Sequence, residues 1–406
     1  MNNQVPSVFQ AALARGLVSR RTAMAGMAGL AGVAGLAACG TAGTKSTGSA
    51  TTRGLVKAVT DTSDTDKVVN WSNWQTYMDV NEKNKTHPTL DAFTTQTGIK
   101  VNYTEDYIGN DEFYAKVRPL LANGKDTGRD MWVSTDWMVA RLIRLDYVQK
   151  LDLANIPNHV NVLDSLLNVP FDKGRLYSMP WQSGFVGIAW NPKSTGGKKI
   201  ESVDQLFTDP VLKGKVTLLT EMVDTMGMVL LALGKDPATC TDADFDAAIA
   251  EIKGAKDSGQ IKGFTANEYT GPLGTGDTAA CFAWTGDVVS LQASNPLLGY
   301  ALPQKGFMLF SDNLVIPNLA KHKKNAEKVI NYYYEPKVMA KVVESIHYIA
   351  DVKGTQAFVT LDDPAAAKNQ LIFPSPETLS RSHVFRGLTT AEETRYNRKF
   401  QTLITG

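Results

Sequence analysis

The chain has 406 residues, 43% of them apolar, with 42 basic and 41 acidic side chains. Residues 1–38 hold three of the basic ones (Arg15, Arg20, Arg21) and no acidic one, so the remainder carries 39 against 41, a net of −2. That balance gives no electrostatic reason to expect nucleic-acid binding, and the apolar content is that of an ordinary globular protein. The first element is an export signal. Arg20 and Arg21 precede an Ala/Gly-rich apolar run of 16 residues, 23–38, that ends on small residues. A charged region, an apolar region and a small-residue cleavage site follow in the required order. The run is shorter than the roughly 20 residues needed to span a bilayer. No later apolar run is long enough to do so.

Leu36-Ala37-Ala38-Cys39 resembles the lipobox of bacterial lipoproteins, in which the Cys is lipidated and becomes the new N-terminus. Ser19-Arg20-Arg21-Thr22 resembles a twin-arginine export motif. Residues 1–38 are therefore expected to be removed, and Cys39 to anchor the chain outside the cytoplasm. Residues 41–66 are Thr, Ser, Gly, Ala, Asp and Lys with almost no large apolar side chain, which predicts a flexible linker over 39–66. About 340 residues follow, enough for two lobes of ordinary size. Of the three cysteines, Cys240 and Cys281 remain after Cys39. In an exported protein they can form a disulfide or stand as two buried thiols.

From residue 67 short strands and helices alternate. Strands are expected at 67–70, 99–104, 130–134, 185–190, 216–219, 279–284 and 314–317. Helices are expected at 88–97, 111–123 (bent at Pro119), 136–145, 225–233 and 242–256. The last third reads as helical over 323–334, 336–346 and 390–404. Alternation of this kind predicts an α/β fold with largely parallel sheets.

Nucleotide-binding glycine loops, a Gly-x-Ser-x-Gly elbow, His-Glu-x-x-His and Cys-x-x-Cys are all absent from the sequence. The five His residues are scattered and show no metal-ligand spacing. An enzyme, a metal site and a cofactor are therefore not expected. Tyr332-Tyr333-Tyr334 matches the adjacent tyrosines that hold ferric iron in some exported binding proteins. Their amphipathic surroundings favour core packing instead. What is present is a set of aromatics and carboxylates at strand ends, where open α/β sheets bind ligands. Trp71, Trp74 and Tyr77 follow the first strand, and Trp137 follows the 130–134 strand. Trp181 precedes the 185–190 strand, and Trp284 ends the 279–284 strand. Glu221, Asp224, Asp287 and Asp312 fall at similar junctions. Rings attract cations and carboxylates pair with amines, so the set suits a multiply protonated amine. Asp224 can equally cap a helix, and Asp287 and Asp312 can be turn residues.

These residues lie within motifs that resemble the polyamine (spermidine/putrescine) solute-binding proteins of ABC importers. The motifs are Asn73-Trp74-Gln75-Thr76-Tyr77, Thr97-Gly98-Ile99-Lys100-Val101, Tyr114-Ala115-Lys116, Tyr177-Ser178-Met179-Pro180-Trp181, Trp284-Thr285-Gly286-Asp287 and Asp312-Asn313-Leu314-Val315-Ile316-Pro317, in the family's order. By position the resemblance implies ligand contacts from Trp74, Tyr77, Thr135, Trp137, Trp181, Glu221, Asp224, Trp284, Asp287 and Asp312. Gln75 and Thr76 depart from the pattern, and residues 347–352 do not match it. Another amine, ferric iron or a sugar therefore stays open as ligand.

The implied fold is the two-lobed periplasmic-binding-protein type II fold, α/β, with a hinge and a central ligand cleft. One lobe is expected from 68–185 plus 286–313, the other from 187–283 plus 318–406. The implied activity is capture by lobe closure and delivery to the permease subunits of an ABC importer, by a monomer tethered to the membrane through Cys39.

Overall fold

The computed structural model describes residues 59–81 and 83–406. The expected signal, its twin-arginine motif and Cys39 lie outside them. One mixed sheet organises the body. Its main strands are β1 (Val68–Trp74), β2 (Lys100–Tyr107), β3 (Met131–Thr135), β4 (Ser178–Trp190), β5 (Val216–Leu219), β6 (Ile261–Thr265), β7 (Ala280–Trp284) and β8 (Phe307–Val315). They lie in the order β2-β1-β3-β8-β4-β7-β5-β6.

Among these strands parallel pairing, which the sequence predicts for most of the sheet, is confined to the two ends. β2, β1 and β3 are parallel at one end, and β7, β5 and β6 at the other. Between them β8 and β4 run antiparallel to each other and to their outer neighbours. Asp312–Val315 of β8 pairs with Trp132–Thr135 of β3, whereas Val186–Trp190 of β4 pairs with Ala280–Trp284 of β7. The two long strands thus stitch one parallel unit to the other. β4 is buried along its whole length, and it is longer than predicted because Pro180 and Gly184 hide its start from propensity. Gly184 is required there: a Cβ would lie 2.6 Å from the Phe310 ring carried on β8.

The helices sort into two groups. Lys323–Tyr333 and Pro336–Ile346 share one apolar core with Val69, Trp71 and Phe93. This corrects the expected boundary, which put all of 318–406 in the second lobe. Thr390–Thr405 instead packs on Asp242–Asp257, with Tyr396 stacked on Phe245 at 3.9 Å. Asn110–Ala122 continues as one helix through Pro119.

The linker also ends earlier than expected. Asp61 Oδ2 accepts from Lys324 N at 2.9 Å, and Ser63 Oγ accepts from Asn325 N at 3.1 Å. Asp61 and Ser63 therefore satisfy free N–H groups at the start of the Lys323–Tyr333 helix. That helix is more than 250 residues away, so no local pattern announces the contact. Cys240 and Cys281 are both free and buried. Among the described residues no helix is long and apolar enough to cross a membrane.

Candidate functional site

β3 ends at Thr135, and antiparallel pairing sets Asp312 of β8 directly opposite. Thr135 Oγ1 donates to Asp312 Oδ1 at 2.7 Å, and the Tyr77 hydroxyl donates to Oδ2 at 2.8 Å. Asn110 braces this pair. Its Nδ2 donates to Thr135 Oγ1 at 2.9 Å, while its Oδ1 accepts from the Tyr107 hydroxyl at 2.7 Å. The Tyr107 ring lies 4.5 Å from that of Trp74. Tyr77, Thr135, Asp312 and Trp74 are thus brought together, from three stretches of chain. The Nε1 atoms of Trp74 and Trp137 are buried without a partner.

The facing half is built at the ends of β5 and β7. The very apolar helix Met222–Ala232 follows β5 and carries Asp224 in its first turn. Trp284, at the end of β7, donates Nε1–H to Asp224 Oδ2 at 2.8 Å. Asp287 accepts from the hydroxyls of Tyr269 at 2.7 Å and Tyr348 at 3.3 Å, and from Asn267 Nδ2 at 2.9 Å. The Tyr348 ring also meets Tyr77 edge-on at 5.2 Å. It therefore links the Asp312 group to the Asp287 group. Gly286 makes room for it, since a Cβ there would lie 2.1 Å from the Tyr348 ring.

Burial sets the electrostatics. It pushes the Asp312 carboxyl up to about 6, with Thr135 and Tyr77 pulling the other way. It pushes Asp224 up to about 7, with nearby Asp312 adding to the effect against the Trp284 bond. Glu221 is raised well above the usual carboxylate range, by burial and then by the charge of Asp224. Asp287 is raised by burial. Among the described residues, none of these four carboxylates pairs with a Lys, Arg or His; the donors to Asp224, Asp287 and Asp312 are all neutral. A largely buried site of one sign, with no basic side chain among its partners, is chemically prepared for a cation.

One expected residue stands elsewhere. Trp181 is wholly buried, edge-on to Trp71 and Tyr333, and its Nε1–H donates to Tyr77 O at 3.3 Å. It sits behind Tyr77 and supports its backbone. Trp137 turns a ring face to the Arg141 guanidinium, 4.9 Å from the centroid. Tyr333 and Tyr334 are core residues, the latter donating to Pro180 O at 2.6 Å. Among the described residues no cluster of three or more His, Cys, Asp or Glu could hold a metal ion. Sequence reasoning missed Tyr348, Tyr269, Asn267 and Asn110. Tyr348 lies in the unmatched 347–352 segment, and the other three follow no motif.

The sequence profile described as bacterial extracellular solute-binding protein matches residues 89–372. The spermidine/putrescine-binding periplasmic protein of Escherichia coli (strain K12) is 29% identical over 291 residues, covering 71% of this chain and 80% of the relative. The putrescine-binding periplasmic protein SpuD of Pseudomonas aeruginosa is 27% identical over 335 residues, covering 78% and 88%. Among solved structures, the spermidine/putrescine ABC transporter substrate-binding protein PotD from Streptococcus pneumoniae superposes with a TM-score of 0.70 at 22% identity, over 83% of this chain and 98% of that one. The Tp0655 (TpPotD) lipoprotein of Treponema pallidum gives 0.71 at 20%, over 83% and 99%. At these identities the structures establish the two-lobed periplasmic-binding fold.

Proposed function

We propose a function from one premise: the chain belongs to the bacterial extracellular solute-binding protein family. It captures a polyamine of the putrescine/spermidine class between its lobes and delivers it to the permease of an ABC importer. The observation that carries this reading is the absence of any basic partner for Glu221, Asp224, Asp287 and Asp312 among the described residues. Burying like charges together is unfavourable unless something opposes them. A flexible chain with two or more ammonium groups does so, and Trp74, Tyr77, Trp284 and Tyr348 offer rings to its methylenes and charges. The names of the relatives point to the same ligand class. A sugar would not need four carboxylates, and the adjacent tyrosines that suggest iron are in the core.

No covalent step is required. The ligand's ammonium groups replace water at the carboxylates, the lobes close around it, and it leaves when the permease opens them. Cleavage of residues 1–38, a lipid at Cys39 and a monomeric state complete the reading. A thermal-shift panel of putrescine, spermidine, spermine and unrelated solutes tests it. A ligand at 100 times its Kd adds about 2.7 kcal/mol of stability. A response confined to sugars or ferric iron would overturn the reading.

A further inference from the structure

The strongest charged cluster outside the cleft carboxylates joins the two groups of helices. Glu393 lies in the first turn of the Thr390–Thr405 helix, where the helix dipole favours an acid. It is 8% exposed. Its Oε1 accepts from Arg141 Nε at 2.7 Å, and its Oε2 from Arg144 Nη2 at 2.7 Å. Arg144 Nη1 also donates to Leu388 O at 2.9 Å. Both arginines belong to the Asp136–Arg144 helix, which packs with Trp132 and Val315 at the β3–β8 side.

Glu393 belongs to the opposite side. Its helix packs on Asp242–Asp257, and Lys256 Nζ donates to Leu403 O at 2.8 Å. The approach to it is fixed there too: Arg386 donates to Cys240 O at 3.0 Å and to Glu392 Oε1 at 2.7 Å. Arg141 reaches further, to Asp111 Oδ1 at 3.0 Å, and lies flat against Trp137 and Tyr114, at 4.9 and 5.0 Å. Trp137 follows Thr135, which holds Asp312.

We propose that Glu393 is a positioning residue for capture: from the second lobe it clamps Arg141 and Arg144 of the first, holding the lobes closed and Arg141 against Trp137. This rests on the capture reading above. When the lobes part, the two arginines lose their shared carboxylate, so the bound ligand's escape requires breaking a mostly buried, bidentate contact. The clamp touches no ligand. Its effect belongs in the dissociation rate, with little in the association rate.

The test is stopped-flow and calorimetric binding of putrescine and spermidine to the wild-type chain, Glu393→Gln, Glu393→Asp and the swap Arg144→Glu/Glu393→Arg. The melting temperature of each ligand-free protein is measured alongside. The expected result is at least a tenfold loss of affinity in Glu393→Gln, carried by faster dissociation, with partial recovery in Glu393→Asp or in the swap. Wild-type affinity and dissociation rate in Glu393→Gln, whatever its melting temperature, would overturn the clamp and leave capture intact. Loss of affinity through slower association alone would also overturn it. Failure of the wild type to bind either amine would overturn both the clamp and the capture reading. If Glu393→Gln does not fold, wild-type dissociation from Arg144→Gln overturns the proposal and faster dissociation supports it.

Discussion

Two sets of buried carboxylates in this molecule are handled in opposite ways. Away from the cleft, Glu327 and Asp130 are each answered by a basic side chain and by several donors. Glu327 is wholly buried and accepts from Lys323, from Asp152 N at 2.7 Å and from Asn155 Nδ2 at 2.7 Å. Asp130 accepts from Asn70 N at 2.8 Å and from the His322 ring at 2.9 Å, and that ring's other nitrogen meets Asp66 at 2.9 Å. In the cleft, Asp224, Asp287 and Asp312 accept only from hydroxyls, an amide and an indole, which offset only part of the rise in pKa that burial imposes. On the proposed capture reading, the difference separates carboxylates that hold the fold from carboxylates that a bound ammonium group would answer. The first kind is already neutralised by the protein; the second depends on something brought in.

The comparison breaks most visibly with Asp224→Asn/Asp312→Asn. Polyamine affinity is expected to fall by at least about 1,000-fold, roughly 4 kcal/mol. The melting temperature of the ligand-free protein should hold or rise, because two uncompensated acids are gone. A fall in melting temperature with unchanged affinity in calorimetry would reverse the assignment. Glu327→Gln should do the opposite. Breaking a buried charge pair costs about 3 kcal/mol, read as a shift in urea midpoint, while affinity stays within about twofold.

Asp287→Asn is expected to weaken binding about tenfold, or 1.4 kcal/mol, without loss of fold. Unchanged affinity would remove Asp287 from the site. pH sharpens the contrast. A cation binds the ionised acids, and groups that titrate at about 6 and about 7 are increasingly protonated as pH falls. Affinity should therefore drop by more than about tenfold from pH 8 to pH 5; a flat profile would contradict the site. For stability without ligand the sign is fixed. Folded pKa values raised above the unfolded ones favour the fold at low pH, and that contribution is lost as pH rises through about 6 and 7.

His322 gives the smallest effect. Burial lowers its pKa, but hydrogen bonds and charge from Asp130 and then Asp66 prevail and raise it. Its stabilisation is full below the unfolded value and disappears as pH rises through the folded one. In His322→Gln the pH dependence of stability above neutrality should shrink by about 1 kcal/mol or less; an unchanged profile would assign it to other groups.

Much of this was legible in the sequence because the strand ends are. Thr135, Asp224 and Trp284 lie at or just past the ends of apolar strands, and β-pairing sets Asp312, inside β8, opposite Thr135. The antiparallel centre was not legible, since β4 carries Pro180 and two glycines whose value lies in close packing against Phe310 and Tyr300. Nor was the place of Trp181, because an aromatic beside a strand is equally suited to a wall or to the layer behind it. Tyr348 follows a helix that ends at His347 in left-handed geometry, φ 60°. Nothing local marks such a turn as delivering a ring between Tyr77 and Asp287. The docking of Asp61 and Ser63 on a helix far along the chain was invisible for the same reason.

With carboxyls pushed up to about 7 and about 6, Asp224 and Asp312 are expected to stay partly protonated until a polyvalent cation ionises them. Calorimetric titration of spermidine into the full chain at pH 6.5, repeated in buffers of different ionisation enthalpy, measures it directly. Proton release on binding is expected, and its disappearance in Asp224→Asn/Asp312→Asn. Binding with no proton exchange, or with uptake, would contradict it.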